Sequence, residues 1–436
     1  MMDGALAPWL LAGIPLLGAL VSLAFWSNPD RLKVSAIVWS IISLGTIVGL
    51  SGQLVTPAES LLPLYLLPLA AAASILGQPV HEDHRLSWIM TLVCLGFGIG
   101  AVTGRDLVAQ VFLMALLVSI IVLLYRHHTE LWPMSWWGIG SFGFGALCVG
   151  IAAVADPPLS SVASLLSCAI LLPLIPFHTG YLTALTRLPG GLPSFVVLLL
   201  PVVGLHGLAA VVPTVPEVVT WTVSFLALAG SLYGAIKALA QSRARLLLAY
   251  GSLSFFSMIW WFAAATRTAT PRAALLVGAV GLATSGLLLA WQVIRTRYGD
   301  DVDPQAISGL AFTMPRYAIL LSLLALAAMG LPPFGVFAGF MGLLLTSSLT
   351  SAVGPFIVLV AWLAASGYIM QMVQQLLFGA RRSDLRYTDL LHTELASLLI
   401  LVLALLVLGL APASLFRMEH QPPRAGAVME SVTWNR

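Results

Sequence analysis

Residues 171–180, LLPLIPFHTG, and residues 329–337, MGLPPFGVF, interrupt two otherwise apolar runs with two prolines each: Pro173 and Pro176, then Pro332 and Pro333. Proline removes a backbone N–H and its ring clashes with the preceding turn, so a helix carried through either stretch must break. Backbone groups freed in this way are tolerated at membrane depth only where protein or a wet cavity satisfies them. Paired interruptions in two halves of a chain point to an inverted, repeated architecture. Prolines sitting near ordinary helix ends would give the same pattern.

The surroundings of these stretches place them in a membrane. Of 436 residues, 59% are hydrophobic and 8% are Asp, Glu, Lys or Arg, and the mean hydropathy is +0.99. Soluble domains carry about one such charged residue in four. This composition excludes a soluble enzyme, a disordered chain and a disulfide scaffold. The basic residues are almost all Arg, and they form no tract that would suit nucleic acid or a polybasic lipid switch. Cys94, Cys148 and Cys168 lie in apolar runs without metal-ligand spacing and read as small buried hydrophobes. The first apolar run lacks a positive n-region and reads as a retained helix.

A spanning helix needs about 20 mostly apolar residues. Candidate spans are 5–26, 33–55, 58–78, 86–104, 106–126, 133–155, 160–183, 190–212, 216–241, 245–266, 272–295, 314–332, 334–350, 354–379 and 392–413. With 58–78 or 334–350 partial or re-entrant, the expected fold is all-α, a polytopic membrane protein of about 14 transmembrane helices with two inverted repeats and Pro-broken helices. Loops after odd-numbered spans hold nine Arg or Lys and those after even-numbered spans six, which weakly favours an N-terminus outside the cytoplasm. The 13 Trp, among them Trp260 and Trp261, read as interfacial belts.

Three stretches taken in order resemble a known family. They are PLIPFHT at 173–179 with GGLPS at 190–194, GAIKALAQSRARLLLAYGSLS at 234–254, and GLPPFGVFAG at 330–339. They are similar to the antiporter-like, proton-conducting membrane subunits of respiratory complex I, Mrp antiporters and membrane-bound hydrogenases. The resemblance covers roughly residues 86–380 and implies a core of two inverted five-helix repeats, each with a broken helix. It also implies a midplane line of buried Glu and Lys joined by water, with redox chemistry on other subunits. The organisation expected from it is N-terminal helices at 1–85, the antiporter-like core at 86–380, and a C-terminal helix with a polar tail at 381–436.

Against that pattern the chain is a divergent member. The expected Glu falls at Ala115 or a neighbour, the Lys before the first proline at Leu171, and a second Lys at Val203. The central His and Lys fall at Val280 and Thr284, and the last Lys or Glu at Phe340. Losing Glu and Lys together is electrostatically reasonable, because a lone buried charge is far costlier than an apolar pair.

His178, His206 and Lys237 remain as proton-handling candidates. An imidazole titrates near neutrality and has two distinct nitrogens, so either histidine could relay protons. His178 would otherwise hold the kink by hydrogen-bonding freed carbonyls, and His206 would be a satisfied core histidine. Lys237 shares a helix face with Tyr233 at i, i+4, which suits a water-lined cavity, or it snorkels to the interface. The run His81-Glu82-Asp83-His84 lacks ordinary metal spacing, and Glu394 reads as decoration of a helix N-terminus.

The resemblance therefore implies a non-catalytic membrane subunit of a multisubunit translocase in a bacterial inner membrane. It would contribute a half-channel or its degenerate remnant, with other membrane subunits and the lipid bilayer as partners. No cofactor, no metal and no nucleic acid are expected. A non-conducting scaffold subunit, or the membrane partner of an inorganic-carbon accumulation system, are the other readings.

Overall fold

The computed structural model describes residues 7–51, 58–127, 136–298, 307–346, 353–379 and 388–410. The acidic connection at Asp300, Asp301 and Asp303, the basic one at Arg381, Arg382 and Arg386, and the polar tail lie outside them. The described residues form α1 (Ala7–Leu23), α2 (Pro29–Leu50), α3 (Ala58–Leu76), α4 (Arg85–Thr103), α5 (Asp106–Arg126), α6 (Trp136–Val154), α7 (Leu159–Leu171), α8 (Thr179–Arg187) and α9 (Leu192–Val211). There follow α10 (Glu217–Leu239), α11 (Ala244–Thr266), α12 (Pro271–Tyr298), α13 (Leu310–Thr313), α14 (Pro315–Ala328), α15 (Gly335–Thr346), α16 (Val353–Leu377) and α17 (His392–Leu410).

Ten of these helical segments are long and apolar enough to cross a membrane unaided. Helices α1 and α3, and the two interrupted units α7–α8 and α14–α15, complete fourteen passes. Of the expected span 334–350, the described part, α15, is thus the second half of one broken pass rather than a span of its own. Counted from Arg85, two runs of five passes follow one another, each interrupted in its fourth member, and they start at opposite faces. That is the inverted repeat.

Short connections make the passes alternate between two faces, and contacts across them agree. At face I, where α1 ends, Ser397 Oγ at the start of α17 donates to Ala73 O near the end of α3 at 2.7 Å. There, too, Arg245 Nη1 at the start of α11 donates to Thr186 O at the end of α8 at 3.1 Å. At face II, Arg267 after α11 donates to Val215 O after α9. Of the described Arg and Lys, only Arg105, Arg267 and Arg272 lie at face II; the rest gather at face I. Among the described residues the bias is therefore strong.

The core lies around α12, whose spanning window is entirely buried and which packs against α3, α9, α11 and α15. Helices α2, α5, α6, α10, α16 and α17 keep most of their surface outward, as lipid- or partner-facing helices do.

Both proline breaks are satisfied in the same manner. At the first, Leu174 N donates back to Ala169 O at 3.0 Å, and the indole of Trp260 donates to Leu172 O at 2.9 Å. At the second, Leu331 N donates to Leu326 O at 3.1 Å, and the indole of Trp362 donates to Met329 O at 3.0 Å. Trp260 is therefore no belt residue: it is 1% exposed and closes a broken helix. An orphaned carbonyl in an apolar core is costly, and an indole N–H supplies a donor without bringing a charge.

Candidate functional site

The first break brings His178 and Lys237 to one place. Pro173 and Pro176 end α7 and leave a turn before α8, whose N-cap position is His178. The His178 ring meets Tyr233 of α10 edge-on at 5.4 Å, and Tyr233 meets Tyr250 of α11 at 6.0 Å. Lys237 Nζ lies 5.9 Å from the Tyr233 ring centre, one turn nearer face I. His178 Nδ1 is buried and has no partner of good hydrogen-bond geometry among the described residues, while the ring interacts with the Pro176 carbonyl. The four side chains form a file from the break to face I, with the exposed Lys237 at its mouth and His178 at its inner end. A cation over a tyrosine ring is modestly favourable, and a histidine nitrogen without a partner is available to a proton or to water. The shared face of Tyr233 and Lys237 was legible from their spacing. Tyr250 was not, because nothing local says that α11 presents it to α10.

His206 is elsewhere. It lies half-buried on α9, toward face II from a tight seam between α7 and α9. The seam is set by Gly204: a Cβ there would stand 2.5 Å from Leu172 N and 3.0 Å from Leu171 Cβ. The two helices touch backbone to backbone, so no water file passes between the His178 cluster and His206 along this seam.

The positions where the resemblance places buried charge are packed. Leu171 is 1% exposed, Val203 and Val280 are 3%, and Phe340 is fully buried. Phe340 lies 4.5 Å from the ring of Trp362, so the second break is closed by an aromatic pair where a Lys or Glu was expected. Ala115 lies half-buried on α5. Thr284 is the one polar side chain among these positions.

The buried charges that survive lie at face I, away from the midplane. Lys33 is 4% exposed in the first turn of α2, and its Nζ donates to Leu76 O and Gln78 O, capping the C-terminus of α3. Cations at a helix C-terminus meet the negative end of the dipole. Glu394 is 2% exposed and takes a 2.7 Å bond from Arg297 Nη2. Its Oε2 also accepts Leu391 N at 2.9 Å, so it caps its own helix as expected and anchors a buried ion pair that was not. Asp389 accepts Arg316 N at 2.9 Å and Tyr317 N at 3.3 Å, an N-cap supplied to α14 from far along the chain. Apart from the Leu391 cap, these partners are separated by tens of residues, so no spacing rule reveals them.

Among the described residues no group of three or more His, Cys, Asp or Glu could hold a metal ion. In the 81–84 segment His81 Nδ1 pairs with Asp83 Oδ2 at 3.2 Å and Glu82 with Arg85 at 2.6 Å. The three cysteines are free and buried.

A family model described as NADH:quinone oxidoreductase/Mrp antiporter, TM, matches residues 134–368. The F(420)H(2) dehydrogenase subunit M of Methanosarcina mazei is 28% identical over 224 residues, which cover 49% of this chain and 44% of that protein. The chain thus spans less than half the length of that curated relative. Among solved structures, a chain of respiratory complex I from Thermus thermophilus is similar with a TM-score of 0.72 at 21% identity, covering 92% of this chain and 97% of that one. A chain of the Mrp complex from Dietzia sp. DQ12-45-1b gives 0.78 at 17% identity, with 96% of each chain covered. A chain of the membrane-bound sulfane sulfur reductase, an archaeal respiratory membrane complex, gives 0.80 at 17% identity, covering 96% of this chain and 78% of that one. At such identities the likeness is one of fold.

Proposed function

The chain belongs to the NADH:quinone oxidoreductase/Mrp antiporter transmembrane family and is a multi-pass integral membrane protein, and on that premise we propose that it is a membrane subunit of an energy-converting assembly that contributes a half-channel and no complete path. The observation that carries this reading is the Gly204 seam, with the His178 cluster on one side and His206 on the other. His178, Tyr233 and Lys237 form the half-channel from face I, and His206 does not join it. The redox chemistry belongs to partner subunits, and the bilayer and those subunits cover the apolar outer helices.

The Arg and Lys at face I orient that face to the cytoplasm by the positive-inside rule. The N-terminus then lies outside, and the membrane is a bacterial inner membrane. The apolar packing at Leu171, Val203 and Phe340 also favours a second reading, a scaffold that keeps the fold and handles no protons.

Coupled proton transport by the intact assembly in inverted vesicles separates the two. Half-channel function predicts that His178→Ala and Lys237→Ala each slow transport while His206→Ala leaves it unchanged. Unchanged transport in all three variants would remove the half-channel and leave the scaffold.

A further inference from the structure

We propose that a cavity between α11, α12 and α16 is a binding site for one water molecule, which closes an uncharged hydroxyl chain across the two halves of the protein. The cavity has a volume of about 20 Å³ and is lined by Ser252, Thr284 and Tyr368, with Val280 at its side and Ala328 and Val336 of the second break forming one wall. A water needs a cavity of roughly 10–15 Å³ on this measure and two to four polar partners, typically about three. The volume admits one molecule and excludes a larger ligand.

The hydrogen-bond inventory leaves three open positions for it. Ser252 Oγ donates to Ala249 O at 3.0 Å and lies 2.8 Å from Tyr181 Oη, so it accepts the tyrosine proton and keeps a second lone pair. Thr284 is 6% exposed and Tyr368 is 2% exposed, and neither hydroxyl makes a hydrogen bond to the described residues. A hydroxyl buried without a partner is costly. One water accepts from Tyr368 and donates to Ser252 and Thr284, which satisfies all three side chains and gives the water three bonds. A cation in the same place would meet no carboxylate, and an anion no basic side chain. The chemistry of the lining selects a neutral ligand with both donors and acceptors.

The resulting chain runs from Tyr181 on α8, beyond the first break, through Ser252 on α11 and the water, to Thr284 on α12 and Tyr368 on α16. It joins the two halves by hydrogen bonds where the charged residues are replaced, and it holds no resident charge. The inference does not depend on the half-channel, because the site follows from the cavity and its hydroxyls alone.

X-ray hydroxyl-radical footprinting of the purified chain in lipid nanodiscs tests it, since bound water is the source of radicals at buried positions. The comparison is Tyr317, equally buried, whose hydroxyl bonds to Ala290 O. Tyr368 is expected to be labelled well above Tyr317, and Thr284→Val, a shape-conserving change, is expected to lower Tyr368 labelling to the Tyr317 level. Labelling of Tyr368 no greater than that of Tyr317 would overturn the site, and so would labelling that Thr284→Val leaves unchanged. A thermal melt of Thr284→Val confirms that the variant is folded when it is scored.

Discussion

Glu394→Ala destabilises the protein more than any change to the proton-handling candidates. The carboxylate is 2% exposed and its ion-pair partner, Arg297, is 10% exposed, so truncation leaves a guanidinium buried without its counter-charge and also removes the negative charge that buried Lys33 feels. Arg297 Nη1 already lacks a hydrogen-bond partner among the described residues, and Nη2 would keep only a 3.3 Å bond to Asp389 O. Breaking a buried pair from one side costs about 3–5 kcal/mol, most of it the cost of the charge left behind. The loss also frees Leu391 N, which Glu394 caps. The melting temperature of the purified chain in nanodiscs is expected to fall sharply. Replacing both partners, Arg297→Met with Glu394→Leu, is expected to recover most of the loss, because an apolar pair of similar volume is often neutral or better. A single variant as stable as the parent would show that the pair is solvated.

Gly204→Leu is expected to have the second large effect, for a steric reason. A Cβ at that position stands 2.5 Å from the backbone nitrogen of Leu172 and 2.8 Å from its Cβ. The nearest obstructing atoms belong to Leu172, the residue that ends α7, whose carbonyl is itself held by Trp260, so they cannot rotate aside. Overpacking a core costs about 1–3 kcal/mol where side chains can adjust, and more where backbone must move. Gly204→Leu is expected to lower the folded yield and the melting temperature strongly. A folded Gly204→Leu protein of parental stability would mean that α7 and α9 are not in contact there.

Most of the fold was legible in the sequence. Apolar runs of spanning length gave the passes nearly helix by helix, since a membrane forces backbone groups to be satisfied within each segment. The prolines located both breaks. What one sequence left open was which of 58–78 and 334–350 is the partial span, because a short apolar run with prolines beside it reads the same way in either place.

The site was less legible. His178, Tyr233 and Lys237 could be named, two of them by helical spacing, but nothing local indicated that the Gly204 seam divides His178 from His206. Lys33 with the α3 terminus, Arg297 with Glu394, and Trp260 with Leu172 O are contacts between distant segments. The cavity at Thr284 arises from three helices that meet only in the folded protein. Charges that are absent can be read from a sequence; the packing that replaces them cannot.

The central claim is that this protein keeps the antiporter fold and lacks a continuous path across it. The most direct measurement is proton flux into proteoliposomes that hold the purified chain alone, driven by a potassium diffusion potential. The expected result is a rate no faster than that of protein-free liposomes. A fast flux that His178→Ala abolishes would contradict the claim, because it would show a path that continues across the membrane beyond the His178 cluster.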